Sequence, residues 1–218
     1  EGLFSIGDEA SHIWEAYYHP RNLGWHSNRL TDKDVIPQHA AQIKQGFLRH
    51  ARDRAGKPAL SFGKPFRFLE KTPKNSLRVS FISRLFPGAR FIFLKRDGRQ
   101  NVSSLIEGWK VGGKFGTYTL PEPMQIKGYQ GPRWNFALVP GWRELIKLSL
   151  PEVCAGQYVR CNQTALADLE PIKAQGRALE IEYDEMVAAP EKVFQRICDF
   201  IEVPFDSHLK ASVVNGLA

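Results

Sequence analysis

Cysteine is scarce in this chain of 218 residues, and the few present are poorly placed for structural chemistry. Cys154, Cys161 and Cys198 are odd in number and lack metal-type spacing, which argues for reduced thiols and against a disulfide framework. Cys154 and Cys161 stand seven apart on one face of a predicted helix and read as core residues. The six histidines form no HxxxH or HxxEH set, which argues against zinc hydrolysis. No stretch approaches the roughly 18 apolar residues of a membrane span. No basic segment with an apolar core marks a signal peptide, so a membrane anchor is not visible in the sequence. Internal repeats and low-complexity tracts are also absent.

What is present is an ordinary globular composition with a basic excess. The chain is 43% hydrophobic and 24% charged, which suits a single domain over residues 1–218 with a sizeable core. Thirty Lys and Arg against 23 Asp and Glu leave a formal charge of +7. Such a balance favours anionic partners, or is simply a solvated face. The excess is spread through segments such as 64–67 and 71–74, among aromatic residues, and is not gathered in a tail.

Apolar spacing predicts helices over residues 10–18, 38–54, 75–85, 101–110, 140–150, 151–169 and 190–202. Strands are predicted over 66–70, 90–94 and 177–183, the second short, apolar and bounded by turn residues like a buried parallel strand. Strands alternating with helices imply an α/β fold, a parallel sheet flanked by helices. Residues 111–139 carry Gly, Pro and aromatic residues without periodicity and are long for a loop. With Phe115, Tyr118, Tyr129, Trp134 and Phe136 they form either an aromatic wall or lid for a substrate or a packed surface loop.

Three constellations can carry chemistry. Arg96 follows the strand over 90–94, where open α/β sheets bind ligands, and a helix N-terminus comes next. Its planar fork of donors suits phosphate oxygens, and Ser104, about two turns on, can add a hydroxyl from the same side. The plainer reading is a surface Arg–Asp pair and a helical serine. Glu70 and Lys71 end the strand over 66–70 as a candidate general base and electrophile, or as a salt-bridged strand terminus. Because neighbours on a regular strand face opposite ways, the two act together only if the strand stops at Glu70. Tyr183 closes a third strand and could rest against a purine, or merely close the core.

The order Glu-Lys-Thr-Pro (70–73), Phe-Pro-x-Ala-Arg-Phe-Ile (86–92), then Arg-Asp-x-Arg (96–99) with Ser104 eight residues after its first arginine, resembles a known family. The later Glu-Tyr-Asp-Glu-Met-Val (182–187), with Pro190 opening an amphipathic helix, resembles the same one. That family is the sulfotransferases that use 3′-phosphoadenosine 5′-phosphosulfate (PAPS). The resemblance implies a P-loop-NTPase-like sulfotransferase architecture and transfer of a sulfuryl group from PAPS to a hydroxyl or amine, leaving PAP, with no metal. It implies Arg96 and Ser104 on the 3′-phosphate, Tyr183 near the adenine, Glu70 as base, and Lys71 steadying the sulfuryl charge. The acceptor would be a small molecule, a glycan or a protein, with no nucleic acid partner. A cytoplasmic setting is expected, or the Golgi lumen if an upstream anchor has been removed.

One departure shapes the expectations. The family opens with a strand, a Gly-rich or Arg-Ser-Gly-Thr-like loop and a helix that cradle the 5′-phosphosulfate, and no such loop occurs here. The start of the chain resembles the stretch just after that helix. Truncation is therefore expected, with the missing strand lying parallel beside 90–94. Two other readings are a nucleotide-dependent phosphotransferase, which needs a Gly-x-x-x-x-Gly-Lys-Ser/Thr loop and a Mg²⁺-binding Asp, and a non-catalytic basic module for nucleic acid or sulfated glycan.

Overall fold

The computed structural model describes residues 3–63, 65–111 and 116–216, so Lys64 of the basic segment and Phe115 lie outside the described residues. Strand β1 (Leu3–Ser5) is followed by α1 (Ser11–Tyr18) and α2 (Pro37–His50), and the chain returns as β2 (Arg67–Leu69). β2 lies parallel to β1, with Phe68 beside Phe4. Next come α3 (Val79–Leu85), β3 (Phe91–Lys95) and α4 (Gly98–Lys110), then the antiparallel pair β4 (Gly116–Tyr118) and β5 (Trp134–Asn135). After α5 (Trp142–Leu145) and the long α6 (Leu150–Lys173), β6 (Ala178–Glu182) returns parallel to β3. Three helices close the order: α7 (Tyr183–Ala188), α8 (Pro190–Ile201) and α9 (Ser207–Gly216). Parallel strands flanked by helices make this an α/β protein.

Period-two alternation decides what each strand buries. Phe91 and Phe93 turn toward Val79, Leu169 and Ile172, while Ile92 and Leu94 face the other way and are 37% and 46% exposed. On β2, Phe68 packs into the cluster around Trp14, Phe47 and Phe81, and Leu69 is 48% exposed. Helix α3 thus backs both parallel pairs, with Val79 under β3 and Phe81 and Leu85 beside β2. Among the described residues the outer edges of β2 and β3 pair with nothing. Their starts are tied instead by Glu202, whose carboxylate takes hydrogen bonds from Arg67 (3.1 Å) and Arg90 (2.5 Å).

Several predicted boundaries move, each for a tertiary reason. The helix over 38–54 ends at His50 because Arg52 exchanges backbone hydrogen bonds with Ser5 of β1. The helix over 75–85 breaks at Arg78 into a 3₁₀ turn (Pro73–Leu77) and α3. The Leu77 carbonyl is turned away to accept from Leu30 N and Arg29 Nη1. Helix α4 starts at Gly98, three residues early, since the Asp97 carboxylate caps it by accepting from Arg99 N and Gln100 N. Of 140–149 only Trp142–Leu145 is an α-helix; Leu150 opens the next helix, which runs to Lys173 behind a capping box of Ser149 and Glu152.

The described part of the 111–139 segment carries a packed aromatic core. Trp134 sits edge-on between Trp109 and Trp142, at 5.2 and 6.4 Å, and all three rings are fully buried. Gln157 of α6 accepts from the Trp109 indole and donates to the carbonyls of Asn135 and Ala137, each at 2.9 Å. Tyr118 is buried as well, so of the aromatic residues expected to line a wall, Tyr118 and Trp134 are core.

Candidate functional site

Parallel pairing brings the carboxyl ends of β1 and β2 to one edge, because Ser5 stands opposite Leu69. β2 stops at Leu69, so Glu70 and Lys71 lie beyond the regular strand and are free of its alternation. The Glu70 carboxylate faces back into its own turn, where it accepts from Thr72 Oγ1 at 2.5 Å and from Asn75 Nδ2. Thr72 Oγ1 in turn accepts from the backbone N–H of Ala10 at 3.0 Å. Lys71 is exposed, and its ammonium pairs with Glu9 Oε1 at 3.2 Å. Glu9 is a further candidate at this edge that the sequence reading passed over. The signal was present: an Asp8-Glu9 pair follows the first apolar stretch, but only the parallel register sets it beside Lys71.

Behind this edge lies a buried polar knot. Lys74 Nζ donates to Glu15 Oε1 (2.7 Å) and to Tyr118 Oη (2.9 Å), and also lies 4.7 Å from the centre of the Tyr118 ring. Tyr118 donates to Glu15 at 2.5 Å and accepts from Asn28 Nδ2 at 2.7 Å. Asn28 then accepts from Leu138 N, so α1, the turn after β2 and the residues Tyr118 and Leu138 meet here. Burial pushes the Lys74 ammonium below its ordinary value, against the pull of Glu15. Burial, then the Glu15 carboxylate, push the Tyr118 phenol well above its own, so it remains a neutral donor.

The second strand end carries Arg96. Its guanidinium stacks over the Tyr183 ring, 4.9 Å from the centre, since Lys95 pairs with Glu182 and the next residue of each strand emerges side by side. Tyr183 opens α7 and does not close the strand. Arg96 makes one long hydrogen bond, to Gln100 at 3.4 Å, and its carbonyl is held by the Tyr158 hydroxyl at 3.1 Å. Ser104 bonds the Gln100 carbonyl at 3.0 Å, which places it on the exposed side that Gln100 shares. The resemblance put Arg96 and Ser104 together on the 3′-phosphate and Tyr183 near the adenine; the fold brings Arg96 and Tyr183 into contact, while Ser104 is linked to Arg96 through Gln100. The start of α4 offers an anion less than expected, because Asp97 already occupies two of its free N–H groups.

Other features lie apart from this edge. A cavity of ≈ 280 Å³, lined by Leu120, Pro121, Met124 and Pro132 among others, shares no residue with either strand end. Among the described residues no group of three or more His, Cys, Asp or Glu can hold a metal ion. No helix described is long and apolar enough to cross a membrane.

Protein-tyrosine sulfotransferase 1 of Danio rerio is 23% identical over 179 residues, covering 82% of this chain and 39% of the relative. The protein-tyrosine sulfotransferase of Drosophila melanogaster is 25% identical over 140 residues, covering 64% and 22%. The chain spans about half, or less, of the length of the curated relatives it matches. Among solved structures, the sulfotransferase domain from the curacin biosynthetic pathway matches 82% of this chain and 54% of that one, at 18% identity and a TM-score of 0.44. A model described as the sulfotransferase family matches residues 7–207, so the chain belongs to the sulfotransferase family.

Proposed function

We propose that this chain serves the transfer of a sulfuryl group from PAPS to a hydroxyl or amine. The observation that carries the reading is Arg96 stacked on Tyr183 at the carboxyl end of β3. An arginine with most of its donors unengaged suits the 3′-phosphate, and the tyrosine beneath it offers a face for adenine. Ser104 belongs to the same proposal, reaching the phosphate from α4. In the reaction the acceptor O–H or N–H gives its proton to a carboxylate. The freed lone pair attacks sulfur, and the S–O bond to the 5′-phosphate breaks, leaving its electrons on PAP. In this reading Lys71 steadies the charge on the sulfuryl oxygens.

Two carboxylates compete for the proton. Glu70 is the base implied by the Glu-Lys-Thr-Pro string, yet both its oxygens are held by donors of its own turn. Glu9, exposed and anchored only to Lys71, has an oxygen to spare. That difference favours Glu9 as the proton acceptor, with Glu70 ordering the turn that presents Lys71. The sequence-derived assignment to Glu70 is the second reading, and a pair of variants separates the two.

The relatives' names point to the phenolic hydroxyl of a protein tyrosine as one acceptor; a small molecule or a glycan is the alternative. The setting remains the cytoplasm, or the Golgi lumen with an upstream anchor. Arg96→Ala is expected to cost about 1.5–3 kcal/mol in PAP binding, the usual loss for a charge-assisted contact. Adenosine 5′-phosphosulfate, which lacks the 3′-phosphate, should lose little. Calorimetric titration of both ligands decides it: an equal loss for the two refutes the assignment. Tighter binding of ATP or heparin than of PAP would favour the phosphotransferase or the glycan-binding module.

A further inference from the structure

Close to Glu70 in the turn after β2 lies a buried charge that makes no ion pair among the described residues. Arg78 is 2% exposed and sits between the 3₁₀ turn and α3. Its guanidinium lies over the Trp14 ring, 5.4 Å from the centre, and its Nε has no hydrogen-bond partner. The carboxylates near enough to act on it are Glu15 and Glu70. Glu15 is engaged by Lys74 and Tyr118, and Glu70 by Thr72 and Asn75. No ion pair to Arg78 forms among the described residues.

An unpaired buried cation is among the costliest arrangements a fold can hold. Lysine could shed its proton in such a place; arginine cannot. Stacking on Trp14 would be served as well by an apolar side chain, so packing explains the position but not the guanidinium. The arrangement suits an incoming anion: a buried guanidinium with a free Nε–H, whose neighbouring carboxylates are committed elsewhere.

We propose that Arg78 receives an oxyanion brought to the site beside Glu70. The shared chemistry is a negatively charged oxygen fork, supplied by the sulfuryl group of the donor or by a carboxylate of the acceptor. Those two sources rest on the sulfotransferase reading; the anion site itself does not.

The test uses inorganic sulfate and acetate at constant ionic strength, with the Nε–H resonance of Arg78 as the readout. That signal is assigned through bonds and by its loss in Arg78→Lys. The expected result is a saturable shift with one anion, unchanged in Arg96→Ala. Arg78→Lys should weaken the anion's effect on thermal stability about tenfold or more in apparent affinity. Preference for sulfate assigns the sulfuryl group, and preference for acetate assigns an acceptor carboxylate. A saturable shift in a protein that fails to bind PAP would keep the anion site and sink the sulfotransferase reading. A shift that never saturates with either anion, or the same affinity in Arg78→Lys, overturns the proposal. Should Arg78→Lys not fold, the titration of the native protein decides alone.

Discussion

Glu9→Gln should leave the protein folded, hold PAP affinity within a few-fold and lower turnover by about 10²–10⁴-fold, the usual worth of a general base. The change keeps the shape of the side chain and removes only its capacity to take a proton. Glu9 is exposed and its one partner is the exposed Lys71, so stability should move by less than about 1 kcal/mol. Glu70→Gln should behave differently. Its oxygens accept from Thr72 and Asn75, and an amide would set an N–H₂ group against one of those donors. Placing donor against donor in a half-buried turn costs about 1–3 kcal/mol. Steady-state kinetics with thermal unfolding of both variants separates the roles. Full stability with lost turnover in Glu70→Gln, beside an active Glu9→Gln, returns the base to Glu70. Activity in both would move it to a histidine, with His12 and His26 next in line.

The second large effect is one of stability. Gln157→Leu is expected to cost about 2–5 kcal/mol, because it leaves the Trp109 indole N–H buried without a partner, worth about 1–3 kcal/mol, and removes two hydrogen bonds to the carbonyls of Asn135 and Ala137, about 0.5–1.5 kcal/mol each. Ala137 keeps the bond from the Trp134 indole, so its carbonyl is not orphaned. For a chain of this size each kcal/mol lowers the midpoint by about 2–4 °C, so a fall of roughly 5–15 °C should be seen in thermal unfolding. A fall of under about 2 °C would show that the 111–139 segment is not clipped to α6 through this glutamine.

Local patterns were legible where the cause is local. The apolar run Phe91 to Leu94 followed by Arg96 and Asp97 announced a strand, a turn and a helix, and all three are found. The helix over 190–202 was legible from Pro190 and its apolar spacing, and it runs Pro190–Ile201. The 111–139 segment was not. Its strands are two and three residues long, too short for any period to emerge, and its order comes from tryptophans packing on residues far away in sequence.

The sequence by itself determined the α/β class, the placing of Arg96 just past a strand, and the emergence of Glu70 and Lys71 from another. Each of these depends on residues within one turn or one strand of each other. Tertiary structure alone decided the partnerships. Glu9 meets Lys71 across 62 residues, and Tyr118 gathers Asn28, Lys74 and Glu15 from as far as 103 residues away. Arg96 comes to rest on Tyr183 only because β3 and β6 run parallel in one register. The reason is the same in each case: a parallel pair aligns carboxyl ends that a crossover has carried far apart in the chain, and no local spacing records which residues will arrive there together.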